Sequence, residues 1–340
     1  MTSACVPAGA ITDIAGIAVG HFSDPRRPTG CTVVLARDGA VAAVDARGAA
    51  PGTRETALLD PSNTVERIHA VVLAGGSAFG LAAADGAVQW LEEHGIGLDM
   101  GIATIPIVPA AVLFDLPGAA DRAHARIRPD AAAGYAACAA ASAAAPQEGN
   151  VGAGCGAIVG KLFGAGLAMK GGIGGASVTV GGVTVGAIVA CNALGDVVDP
   201  DSGRILAGAR SDDGLRLRDT RRTLLAGAPP RPLLPGANTT IGVIATDARL
   251  TKAQAQRLAT AGHDGLARAV NPVHTTGDGD VLFALSTGAV APGEDGAPGP
   301  MVLGVMAAEA VARATVRAVR AAQSLRVGGL WLPAAADFHP

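Results

Sequence analysis

"PGANTTIGVIATD", residues 235–247, sets a strand-forming run directly behind an asparagine and two threonines. Thr240 to Ala245 has the apolar, β-branched character of a buried strand, and "LLAGAPPRPLLPGAN" (224–238) leads into it as a stiff, irregular connector. This entry on Asn-Thr-Thr has two readings. One is a plain turn. The other is a peptide bond, Asn238–Thr239, that is meant to break. Inside a chain a threonine hydroxyl is a poor nucleophile, but at the start of a chain its own α-amine is the base beside it. Such an amine has a typical pKa of about 7.7 to 8.0, so a sizeable fraction is neutral near physiological pH. Attack of the Thr239 hydroxyl on the Asn238 carbonyl moves the acyl group from nitrogen to oxygen and leaves an ester for water to cleave.

Downstream, "TKAQAQRLATAGHDGLARAV" (251–270) carries a capping box at Thr251 and Gln254, with Leu258, Ala261, Gly265 and Leu266 at helical period. "HTTGDGD" (274–280) follows, then a strand "DVLFALSTG" beginning at Asp280, and a long final helix over 300–325. The separations 278 − 239 = 39 and 280 − 239 = 41 leave room for a strand, a helix and a return strand, so the two motifs are expected on adjacent strands. Upstream, "ASVTVGGVTVGAIVA" reads as two strands around a Gly181–Gly182 turn, and "CTVVLARDGAVAAVDARG" as a hairpin around Asp38–Gly39. "AVVLAGGSAFGLAAADGAVQWLEE" has the form strand, glycine turn, helix, with Leu81, Val88 and Leu91 near helical spacing. A second helix is expected from Asp130, a plausible N-cap, to Ala145, with Pro146 as its stop. This mixed order, with no fixed repeat, points to one domain of stacked sheet and helix layers.

Composition agrees. At 340 residues the chain exceeds the size of one simple core, and 49% hydrophobic against 16% charged residues calls for extensive close-packed burial. A formal net charge of −3 without a basic run offers no electrostatic footprint for nucleic acid or an anionic membrane, so the expected partner is a small molecule or peptide. Cys5, Cys31, Cys138, Cys155 and Cys191 are odd in number and widely spaced, which suits a reducing cytoplasm. The start, "MTSACVPAGAITDIAGIAVG", lacks the basic and long apolar segments of a signal peptide. The uncharged run 171–195 is long enough to span a bilayer but is broken by glycine pairs and hydroxyl residues.

Other residues have chemical readings beside plainer ones. Asp278 and Asp280, two apart with glycine between, suit acid–base work on a reacting amine, a hard cation, or simple turn chemistry. "GNVGAGCGAIVGKLFG" (149–164) fits neither the Walker nor the dinucleotide glycine spacing; backbone crowding around a pocket, with Lys161 pointing in, is the better reading. Asn192, at the end of "VGAIVAC", is either a turn residue or an amide donor to a developing oxyanion. Ser77 sits in an elbow-like context, but Phe79 stands where that pattern needs glycine, so a structural role is expected. His21, His69, His94, His124, His263, His274 and His339 make no paired-ligand motif, and neither a metal nor a cofactor is expected. His263 falls on the helix after Thr251, where packing accounts for it.

Taken together, "GANTTIGVIATD", "HTTGDGDVLFALSTG", "AVDARGAAPGTRET", "LAGGSAFGLAAADG" and "GNVGAGCGAIVGK" resemble, in order and over about residues 11–320, the self-cleaving amide hydrolases of the DmpA aminopeptidase type, including the nylon-oligomer (6-aminohexanoate oligomer) hydrolases. The resemblance implies an α+β, four-layer α-β-β-α sandwich of the N-terminal-nucleophile type. It implies a cut after Asn238 into an α chain, 1–238, and a β chain, 239–340, that stay together. It puts the nucleophile on Thr239, the acidic pair on Asp278 and Asp280, the pocket lysine on Lys161 and the oxyanion-side amide on Asn192. Thr239 with two aspartates lies nearer the nylon-hydrolase branch than members with a serine nucleophile. The family's active-site tyrosine falls on Phe114, so a hydroxyl is missing there; Tyr135, the only tyrosine, lies elsewhere in sequence. Short peptides or oligoamides are the implied substrates and a homo-oligomer the implied assembly. Two competing readings are an acyltransferase using the same threonine and a non-catalytic, uncleaved binding protein.

Overall fold

The computed structural model describes residues 9–231, 236–291 and 298–338. Cys5, His339 and residues 232–235 of the proline connector lie outside these. Nine strands make one continuous ladder: β1 (Ile17–Ser23), β2 (Gly30–Ala46), β3 (Gly52–Arg54), β4 (Arg67–Ala74), β5 (Ala110–Val112), β6 (Gly172–Val180), β7 (Val183–Asn192), β8 (Thr239–Ala248) and β9 (Val281–Val290). Their order is β6-β7-β8-β9-β2-β4-β5-β3, with β1 on β2. Among the described residues five α-helices accompany them: α1 (Ala83–Glu93), α2 (Ala131–Ala139), α3 (Thr220–Leu225), α4 (Lys252–Ala269) and α5 (Pro300–Arg320).

β2 links two stacked layers. Its first half pairs with β1 and β4, while residues 41–46 pair with β9, and its register against β4 breaks between Leu35 and Ala40. The expected hairpin at Asp38–Gly39 is therefore absent. A type I′ turn needs positive φ at both central residues, and only Gly39 (φ +74) has it. One left-handed glycine makes a bulge that bends the strand, not a turn that reverses it.

Alternation along the strands sorts side chains into three cores. Ile241, Val243, Val281 and Phe283 meet Val34, Val71 and Leu73 between the two sheets. The opposite faces of β8 and β9, through Ile244 and Leu282, pack under Leu258, Leu266, Leu303 and Met306 of α4 and α5. Val33, Leu35 and Val72 pack instead under Trp90, Leu91, Ala133 and Ala137 of α1 and α2. The architecture is thus the expected α-β-β-α sandwich. α4 and α5 approach closely because Gly265 faces the Ala308 carbonyl, where a Cβ has no room.

Local signals hold at several ends. β6 and β7 form the hairpin around Gly181–Gly182, Asp130 caps α2 by accepting the Ala133 amide at 3.0 Å, and the Thr251–Gln254 capping box opens α4. Two helices stop early. α2 ends at Ala139 because the chain beyond turns to pair Ser142 with Val19, and α5 ends at Arg320, before a small hairpin of 325–327 on 330–332. Alanine propensity yields there to tertiary pairing.

Candidate active site

Three strand ends converge where the proline connector enters β8. Antiparallel register sets Asn192, the last residue of β7, opposite Thr239, the first of β8. On the other side β9 runs parallel to β8, and a bridge extends that pairing to Asn238 and Asp278. The expectation that 239 and 278–280 occupy adjacent strands holds. The turn after β2 closes the site: Arg47 and Gly48 donate their amides to the Asp280 carbonyl, and Ala50 donates to that of Asp278.

Asn238 and Thr239 are each 2% exposed. The Thr239 hydroxyl donates to the Asn238 carbonyl oxygen at 2.6 Å, and the Gly279 amide donates to the same oxygen at 2.8 Å. The carbonyl between the two pieces of the sequence motif is therefore doubly hydrogen-bonded and polarised. Asp280 Oδ1 accepts the Thr240 amide at 2.7 Å, while Oδ2 accepts the His274 amide at 3.2 Å and lies 2.9 Å from His274 Nδ1. Asp278 Oδ2 accepts the Thr275 amide at 2.8 Å. These carboxylate oxygens face N–H donors, the arrangement of hydrogen-bond acceptors, and no three His, Cys, Asp or Glu among the described residues group as a metal set.

Lys161 points inward as expected. Its Nζ donates to the carbonyls of Asn192 (2.8 Å) and Ala237 (3.1 Å), so it braces both strand ends at the Asn238–Thr239 bond. The residue keeps some exposed surface while its ammonium is enclosed by protein, and burial pulls its pKa down to about 7 against the opposing pull of Asp278, Cys191 and Asp280. Asp278 moves the other way, up to about 6, first through burial and then through the charge of Asp280, with the Thr275 hydrogen bonds and Lys161 opposing. Asn192 is fully buried; its Oδ1 accepts the Ile158 amide at 3.0 Å and its Nδ2 faces the Phe114 carbonyl at 3.4 Å.

That last contact brings half-buried Phe114 to the site. Ser77 lies on the same wall, since its amide donates to the carbonyl of Leu113, and its φ of +57 marks a strained elbow at the start of a 3-10 turn. Tyr135 does not stand in for the missing hydroxyl: its OH donates to Glu93 at 2.7 Å on the α1–α2 surface. A cleft of about 760 Å³ between α4 and α5, lined by Leu258, Met301 and Gly304 among others, contains none of the clustered residues. The cluster and that cleft are separate features of the fold.

Two contributions escaped sequence reading. His274 was visible only as the first letter of "HTTGDGD", and its pairing with Asp280 depends on a φ of +54 that no residue type announces. Lys170, wholly buried, donates to the carbonyls of Gly154, Ala157 and Gly171 and so ties down the glycine run that precedes Lys161. The described cysteines, Cys31, Cys138, Cys155 and Cys191, are free thiols, and no helix of the described residues is long and apolar enough to cross a membrane.

A layered sandwich with this buried cluster at its strand ends is an N-terminal-nucleophile hydrolase fold. An L-aminopeptidase D-Ala-esterase/amidase of Ochrobactrum anthropi, described as a variant of that fold, aligns over 98% of this chain and 93% of its own with a TM-score of 0.70 and 23% identity. A β-aminopeptidase of Burkholderia sp. aligns over 97% and 92% with a TM-score of 0.69 and 25% identity. The pattern of peptidase family S58 matches residues 9–329, and the chain belongs to that family of amide-bond hydrolases. An uncharacterized aminopeptidase of Mycobacterium tuberculosis is 46% identical over 97% of this chain and 98% of its own. A 6-aminohexanoate-oligomer endohydrolase of Kocuria sp. is 31% identical over 81% and 74%.

Proposed function

We propose that this protein is a self-cleaving amide hydrolase whose nucleophile is Thr239 and whose substrates are short peptides or oligoamides. The observation that carries the reading is the Asn238 carbonyl, held between the Thr239 hydroxyl at 2.6 Å and the Gly279 amide at 2.8 Å. In maturation the hydroxyl oxygen bonds to the carbonyl carbon, the C–N bond breaks, and the nitrogen leaves as the Thr239 amine. Water then hydrolyses the ester, which gives fragments 1–238 and 239–340. β8 is hydrogen-bonded to β7 and β9 to β2, so two strand pairings hold the fragments together after the cut.

In turnover the freed amine takes the hydroxyl proton as the oxygen attacks a substrate carbonyl, and water resolves the acyl ester. Asp280 orients the amine and Asp278 supports Asp280. Lys161 supplies positive charge beside the nucleophile, and Asn192 with backbone amides holds the oxyanion. Phe114 and Ser77 line the substrate pocket. The aminopeptidase and oligoamide-hydrolase relatives support this substrate class, and the free thiols suit a reducing cytoplasm. Assembly as a homo-oligomer belongs to the same reading.

The test is Thr239→Ala. The variant is expected to remain one full-length chain without hydrolase activity, while the parent yields a species beginning Thr-Thr-Ile-Gly. Scission of the variant at the same bond overturns the assignment.

A further inference from the structure

We propose that His274 is a positioning residue for this chemistry, acting through Asp280; the inference rests on the threonine reading above. His274 adopts φ +54, a conformation uncommon outside glycine that histidine, like asparagine and aspartate, enters more often than other residues. That backbone turn aims two donors of one residue, the amide at 3.2 Å and Nδ1 at 2.9 Å, at a single oxygen, Asp280 Oδ2. Asp280 is 1% exposed, and its other oxygen, Oδ1, accepts the Thr240 amide. Each oxygen accepts more than one hydrogen bond, so Oδ1 keeps a lone pair for an amine created one residue earlier, at Thr239. The carboxylate can point that lone pair only if Oδ2 is held.

The surroundings of the ring fit that task. A carboxylate acceptor requires the proton on Nδ1, so a neutral ring bears a bare lone pair at Nε2, and that atom is buried without a partner. The ring meets His263 of α4 edge-on, with centroids 4.8 Å apart at 69°. His263 is fully buried, its Nε2 lies 2.9 Å from the Asp45 carbonyl on β2 and so donates, and burial moves its pKa down to about 4. His274 is therefore walled by a neutral imidazole; Asp278 and Lys161 lie within electrostatic reach of Asp280, and Asp45 and Arg47 within reach of His263. Nothing in this arrangement is needed to form β9, which begins at Val281.

Two substitutions separate positioning from packing. His274→Gly keeps the left-handed backbone and removes the ring; His274→Asn also tolerates that backbone and sets its side-chain N–H where Nδ1–H stood. The readouts are the rate at which the fragment beginning at Thr239 appears, then kcat and KM on a short amide substrate, with thermal unfolding as the check on folding. His274→Gly is expected to slow scission and lower kcat by about 30-fold with KM within about twofold, because misplacement of a catalytic group acts on the reacting geometry. His274→Asn is expected to recover at least about tenfold of that loss. Equal losses in both variants, or a glycine variant at the parent rate, overturn the inference. Scission of Thr239→Ala overturns the threonine reading and this inference with it, whereas an inert Thr239→Ala beside a fully active His274→Gly overturns this inference alone.

Discussion

The amide of Gly279 lies 2.8 Å from the carbonyl oxygen of Asn238, the oxygen that the Thr239 hydroxyl also reaches. The glycine between the two aspartates is thus a part of the site, and its lack of a side chain has a use. A Cβ on Gly279 would stand 2.5 Å from the Ala50 carbonyl oxygen and 2.9 Å from Thr239 Oγ1. Gly279→Ala must push one of these aside, and the hydroxyl is the proposed nucleophile. Scission is expected to slow by at least about 10²-fold, the size of effect seen when an oxyanion donor or reacting atom is misplaced, and a gel time course of purified precursor checks it.

Asp278 makes a prediction about stability. Its folded pKa is raised from 3.8 to about 6, by burial first and by Asp280 second. Between these values the folded chain holds a proton that the unfolded chain releases, so the contribution of Asp278 to stability falls as pH rises from about 4 through about 6. In a Thr239→Ala background, which keeps one covalent form, the advantage of the parent over Asp278→Asn in urea midpoint should shrink across that interval. A difference that grows with pH contradicts the account.

Lys161 shifts in the opposite sense, from 10.5 to about 7, because its ammonium is enclosed. Here the unfolded chain binds the proton that the folded chain sheds, so stability attributable to Lys161 rises from about pH 7 toward 10. Urea midpoints of the same background with and without Lys161→Met should diverge upward over this range, and a flat difference counts against a buried, readily deprotonated lysine.

Lys170 is expected to matter for folding more than for chemistry. Its ammonium satisfies the carbonyls of Gly154, Ala157 and Gly171 at 2.9 to 3.0 Å in a wholly buried position. Lys170→Met removes a donor from three buried carbonyls, of which those of Gly154 and Ala157 keep a backbone N–H, and should cost about 1 to 3 kcal/mol. Chemical denaturation measures this directly; a loss below about 1 kcal/mol shows that the carbonyls find other donors.

Several features were legible from neighbours in the chain. The Gly181–Gly182 reversal, the Asp130 cap and the Thr251–Gln254 box depend on backbone angles and hydrogen bonds spanning a few residues, which residue type alone determines. The apolar, β-branched run Thr240 to Ala245 likewise marked β8 as a buried strand, and its two faces fall in different cores. Thr239, Asp278, Asp280, Lys161 and Asn192 were picked out by type, spacing and family resemblance, and the fold brings them to one place.

What residue type left open was decided by partners far away in sequence. Asp38–Gly39 has the composition of a hairpin turn, yet both halves of β2 find edges to pair with, β1 and β4 for one and β9 for the other, so the chain bends through a bulge without reversing. α2 stops at Ala139 because Ser142 gains two backbone hydrogen bonds to Val19. His274 meets Asp280 through a left-handed backbone, and Lys170 meets carbonyls that belong to a different loop. Short-range order follows from local angles and caps, whereas the choice of strand partner and the pairing of buried polar atoms follow from which distant surfaces must exclude water together.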